Sequence, residues 1–83
     1  MEMNMEDIQG LTVDGYDAAV IGYEPNRDIF IYDRQKMIEI AVQDMGMEEV
    51  DAIEYLEYNV WGAYVGEHTP IYINLGTLTE ITQ

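Results

Sequence analysis

The chain of 83 residues has no cysteine and no serine, a single histidine, and only three basic residues, Arg27, Arg34 and Lys36. Each absence closes a class of chemistry. Without cysteine there is neither a disulfide framework nor a thiolate metal site. Without serine there is no serine nucleophile, and Thr12, Thr69, Thr77, Thr79 and Thr82 have no evident base beside them. One imidazole cannot build a histidine-rich metal site, so zinc would need carboxylates for the rest of its shell. His68 beside Glu67 reads as a solvated loop histidine, because adjacent loop residues seldom converge on one substrate. Gly62 and Gly66 do not precede a helix carrying a lysine, so no phosphate cradle is indicated. No apolar run is long enough to span a bilayer. The opening residues 1–7 are acidic, the opposite of a secretory n-region. These absences predict a cytoplasmic protein with no catalytic residues, no cofactor and no metal.

What the chain has in excess is acid. Seventeen Asp and Glu residues give a formal net charge of -14. Residues 1–26 hold Glu2, Glu6, Asp7, Asp14, Asp17 and Glu24 and no basic side chain. Such a field repels nucleic acid and anionic membranes and attracts basic surfaces. Acidity also keeps small proteins soluble, and that plainer explanation covers most acidic chains. Hydrophobic residues make up 48% of the sequence, too many for a disordered chain. A single domain over residues 1–83 follows, with residues 1–9 expected to fray because methionines and acids alternate there without a clear period.

The segment from Asp33 to Pro70 organises the rest. At the helical repeat of about 100° per residue, Met37, Ile38, Ile40, Ala41, Val42 and Met45 fall on one side of a first helix. Asp33 suits its N-cap and Gly46 the position past its end. In a second helix, Val50, Ala52, Ile53, Leu56, Val60, Trp61, Ala63 and Tyr64 cluster on one half, with Trp61 as a core anchor. Glu48, Asp51, Glu54, Tyr55, Tyr58 and Asn59 take the other half. Glu57 projects onto the apolar half and reads as a rim residue whose carboxylate reaches water. Asp44, Glu48, Glu49 and Asp51 crowd the inter-helix turn but lack the alternating spacing of a calcium loop.

Around this hairpin, residues 11–13 and 16–23 read as strands. Pro25 and Asn26 read as a turn, and residues 28–32 as a strand antiparallel to the one before. Residues 71–75 alternate as a third strand. Residues 77–83 have β propensity but nothing to fix a partner. The expected fold is α+β: a small antiparallel sheet of about three strands with a two-helix hairpin packed on one face.

One resemblance adds context. The runs Ala19-Val20-Ile21-Gly22-Tyr23, Ile31-Tyr32-Asp33, Met37-Ile38-Glu39-Ile40, Gly46-Met47, Ala52-Ile53-Glu54-Tyr55, Asn59-Val60-Trp61-Gly62-Ala63-Tyr64-Val65-Gly66-Glu67 and Thr69-Pro70-Ile71 look like those of a group of small, functionally uncharacterised phage-encoded proteins. The similarity covers about residues 16–73 and brings no activity with it. Met37 stands where that group often has cysteine. The resemblance implies expression in a bacterial cytoplasm. Together with the charge, it leads to the expectation of a non-enzymatic binding protein. This would be a phage-encoded inhibitor or nucleic-acid mimic that engages a basic surface of a host nucleic-acid-binding or defence protein, without binding nucleic acid or membrane itself. The expected contact face is Glu48, Asp51, Glu54, Tyr55, Glu57 and Tyr58. The alternative is a structural or accessory phage protein that forms homo-oligomers through a sheet edge, with acidity serving solubility.

Overall fold

The computed structural model describes residues 8–82. The N-terminal strand β1 (Val20–Glu24) pairs antiparallel with β2 (Ile29–Asp33). Helices α1 (Arg34–Gln43) and α2 (Glu49–Leu56) follow, then strand β3 (Ile71–Ile73) and a short helix α3 (Leu78–Thr82). The sheet order is β1-β2-β3, and β3 runs parallel to β2. The fold is therefore α+β as the pattern predicts, but the sheet is mixed and not wholly antiparallel. Parallel neighbours need a crossover connection, and the helical segment between β2 and β3 supplies it.

Local chemistry explains the elements the sequence marks clearly. The Asp33 carboxylate accepts from the amides of Gln35 at 3.0 Å and Lys36 at 3.4 Å, capping α1 as expected. Gly46 takes a φ of 71° beyond the helix, where a side chain would be strained. The Met47 amide then bonds back to the Ala41 carbonyl at 3.1 Å, sealing the helix end. In the β1–β2 turn the Glu24 carboxylate accepts from the amides of Asn26 at 3.2 Å and Arg27 at 2.6 Å. The residue with positive φ is Asp28, at 56°, and not Asn26.

The core joins sheet and helices through Tyr16, Ala19, Tyr32, Met37, Ile40, Ala41, Ala52 and Leu56. Tyr32 is paired with Val20 on one side and Tyr72 on the other, and both of those pack against the core. Several expectations change here. Residues 11–13 form no strand, and Asp17–Ala19 is a turn of 3-10 helix before β1 begins. Its tight coil tucks Tyr16 and Ala19 inward. On α2 only Ala52 and Leu56, one turn apart, are fully buried, so Val50 stands 67% exposed. The helix then widens into a π turn over Glu57–Trp61 and ends at Gly62. That change of pitch and early stop put Ala63 and Tyr64 outside the helix and expose both. Trp61 is half-buried: its indole N–H points at Met37 Sδ at 3.4 Å, and the Arg34 guanidinium lies 4.1 Å over the ring. The fully buried anchors are Tyr32, Ile29, Met37 and Leu56.

The last segment is also helical where β propensity suggests otherwise. Glu80 N–H donates to Thr77 Oγ1 at 3.3 Å, while Thr77 N–H donates to Glu80 Oε1 at 2.8 Å. This reciprocal pair is a capping box, and it starts α3. Of the stretch expected to fray, residues 1–7 lie outside the described residues. Gln9 is tied down, its amide donating to Asp28 Oδ2 at 2.8 Å.

Candidate functional site

Two regions carry exposed chemistry. The first is the outer face of α2 and the π turn after it. Glu48, Asp51, Glu54, Tyr55, Glu57 and Tyr58 are all exposed. Glu48, Asp51, Tyr55 and Tyr58, at i, i+3, i+7 and i+10, form one stripe along the helix, and Glu54 and Glu57 flank it. Tyr58 stands 84% exposed. The Asn59 side-chain amide donates to the Tyr55 carbonyl at 3.1 Å and braces the start of the π turn. None of the four carboxylates forms an ion pair among the described residues. Acids in the first turn, Glu49 and Asp51, also sit at the positive end of the helix dipole, so the charge stabilises the helix that displays it. Glu57 reaches solvent as a rim residue does.

The second region was not anticipated as a unit. Asp28, at the end of the β1–β2 turn, holds three parts of the chain together. Its carboxylate accepts from the amides of Gln9 at 2.8 Å and Gly10 at 3.0 Å and from the Tyr23 hydroxyl at 2.5 Å. The Tyr23 hydrogen bond holds the Asp28 carboxyl below its usual range, with the two amides and His68 adding to the effect against partial desolvation. The same bond to Asp28 pushes the Tyr23 hydroxyl up to about 12. His68 completes the clasp. Its Nδ1 lies 2.9 Å from the Asp28 carbonyl and 3.5 Å from Asp28 Oδ2. A carbonyl can only accept, so Nδ1 carries the proton and Nε2 faces Glu67 Oε1 at 3.6 Å. His68 is thus half-buried and bonded, not the solvated loop histidine its surroundings in sequence suggest.

The clasp forms one wall of an open cleft of about 650 Å³, bordered by Arg27, Ile29, Tyr64, His68 and Thr69. Thr69 closes the loop on itself, its hydroxyl donating to the Gly66 carbonyl at 2.6 Å and accepting from the Val65 amide at 3.0 Å. Chemically this cleft offers the His68 imidazole with Nδ1 already committed, the Arg27 guanidinium, the Asp28 and Glu67 carboxylates, the Asn26 amide and the hydroxyls of Tyr64 and Thr69. Among the described residues no three His, Asp or Glu side chains gather closely enough to hold a metal ion. No described helix is long and apolar enough to cross a membrane.

Asp28 could have been flagged by its place in the sequence, since Asp tolerates positive φ at the end of a turn. Its partners Gln9, Gly10 and His68 are far away in sequence and carry no local mark. No family model, no curated protein and no solved structure matches the chain.

Proposed function

We propose that this is a non-enzymatic, acidic protein-binding domain, and that the outer face of α2 engages a basic protein surface. The observation that carries this reading is the combination on one stripe of uncompensated carboxylates with the exposed rings of Tyr55 and Tyr58. Carboxylates spaced along a rigid helix can stand where phosphates would, steering a cationic partner in. Tyrosines supply contact area at low entropic cost and hold it there. The partner class that fits is a nucleic-acid-binding or defence protein of a bacterial host, with the domain acting as a phage-encoded inhibitor in the cytoplasm.

A second reading is assembly through a sheet edge. It is favoured by the open outer edges of β1 and β3 among the described residues. The bulge between Val20 and Gly22 and the three-residue length of β3 weaken both edges as templates.

The test is affinity capture of basic bacterial proteins by the parent and by a Glu48→Gln, Asp51→Asn, Glu54→Gln triple variant, at low and moderate salt. The parent retains a defined partner at low salt, loses it as salt rises, and the triple variant fails to retain it. Equal capture of that partner by parent and variant at low salt would remove the α2 face from consideration.

A further inference from the structure

A second surface shows the opposite character. In a chain of net charge -14, residues 68–79 contain no acid at all. This stretch runs through β3 into α3, whose apolar side chains are left uncovered: Leu78 is 78% and Ile81 57% exposed. The helix is only five residues long. Helices shorter than about 12 residues are marginal in water without a packed face, so the capping box at Thr77 and Glu80 shapes an element that a contact must complete.

A matching receptor lies on the same domain. An apolar groove of about 370 Å³ runs between the segment before β1 and the loop after the π turn. Leu11, Val13, Val60, Val65 and Tyr72 line it, and Asp14 is the single carboxylate among the described residues that border it. Val65 is itself well exposed. We infer that residues 75–82 of one copy lie in this groove on a second copy, with Leu78 and Ile81 entering it, and that the exchange is reciprocal.

Charge selects this occupant. A basic partner is drawn to the acidic faces, which the groove lacks, and an anionic membrane is repelled by the whole molecule. A second copy, equally acidic, can approach only where both surfaces are acid-poor; the arm carries one acid, Glu80, tied to the Thr77 amide, and the described lining of the groove carries one, Asp14. Reciprocal contact also satisfies two-fold closure, so association stops at a dimer. The inference does not depend on the function proposed for α2, which uses a different face.

Sedimentation equilibrium on the full chain tests it, with circular dichroism to check the fold of each variant. The parent is expected to dimerise at tens of micromolar and to do so more tightly as sodium chloride rises to about 300 mM, because salt screens the like charge of the two copies. Leu78→Glu and Ile81→Glu each weaken dimerisation at least tenfold. An acid is tolerated in the first turn of a helix, so Leu78→Glu removes the apolar contact without removing α3. Val65→Glu in the groove acts likewise, and Leu11→Glu replaces it should that variant fail to fold. Mixing the Leu78→Glu chain with the Val65→Glu chain restores a heterodimer, since one intact arm and one intact groove remain. A parent monomeric at several hundred micromolar in about 300 mM salt overturns the inference. So does a dimer indifferent to arm and groove variants, which would point to a sheet edge, and so does a mixture that stays monomeric.

Discussion

Changing Tyr32 to Phe isolates one buried hydrogen bond. Tyr32 is fully buried at the centre of the sheet, between Val20 and Tyr72. Its hydroxyl oxygen accepts from the Val13 amide at 2.8 Å and ties the irregular segment before β1 to the core. Burial raises the Tyr32 pKa, with Asp17 adding to it and the Val13 amide opposing, so the hydroxyl is neutral at ordinary pH. Phe keeps the ring and its tilted contact with Tyr72 at 5.6 Å. What it loses is the acceptor, which leaves the half-buried Val13 N–H unpaired. A buried donor without a partner costs about 1–3 kcal/mol, and partial access of water to Val13 places this case near 1.5 kcal/mol. In a domain of this size each kcal/mol is worth about 4–8 °C in Tm, so Tyr32→Phe should melt roughly 6–12 °C below the parent. Urea unfolding should show a lower midpoint at unchanged m-value. Tyr72→Phe is the control: its hydroxyl has no hydrogen-bond partner among the described residues, burial alone raises its pKa before the neighbouring Tyr32 adds to it, and the change should cost under about 0.5 kcal/mol. If Tyr32→Phe is as stable as Tyr72→Phe, the Val13 bond does not anchor that segment.

Asp28 has a folded pKa below its ordinary value, so its contribution is complete above the usual carboxylate range and is lost as pH falls through the folded pKa. The Tm advantage of the parent over Asp28→Asn should therefore shrink on acidification from neutral pH, and an advantage that grows would refute the clasp. Gly10→Ala places a methyl 3.0 Å from the Asp28 carbonyl and 3.1 Å from the Phe30 ring, and should cost about 1–2 kcal/mol in urea unfolding. Trp61→Ala should cost about 2 kcal/mol, short of the 3–5 kcal/mol typical of a fully buried aromatic, because one side of the indole is open. The Tm of the parent should rise between roughly 20 and 300 mM sodium chloride as self-repulsion is screened, and a flat curve would mean the acids are well dispersed.

What was legible in the sequence is what local rules decide. Asp33 caps a helix and Gly46 ends one because the atoms involved are within a few residues of each other. The hairpin of β1 and β2 follows from a short turn between two apolar runs. The direction of β3 was not legible: a strand after a helical hairpin can join an edge either way, and its partner lies about forty residues back. The π turn hid the fate of Ala63 and Tyr64, since a constant 100° step carries them onto the buried face. The capping box at Thr77 and Glu80 is present as the pattern T-x-x-E, yet threonine-rich β propensity points the other way. In the candidate site, the exposure of Glu48, Asp51, Glu54, Tyr55 and Tyr58 followed from the helical repeat, whereas that repeat carries Glu57, which is exposed in the π turn, onto the apolar half. The clasp of Asp28 and His68, joining residues forty positions apart, had no signature that one chain could reveal.

The division of charge over the surface gives the two proposed contacts opposite responses to salt, and this makes them separable. Contact through the α2 face depends on attraction between unlike charges, which screening weakens. Contact through residues 75–82 and the apolar groove is opposed by repulsion between like charges, which screening relieves. Near-zero salt should therefore favour a monomer bound to a basic partner, and moderate salt a dimer without one. The stretch without acids at residues 68–79 has a reason under this arrangement. Acids spread evenly along the chain would oppose a second copy everywhere; under the proposed arrangement the acid-free run leaves one approach open.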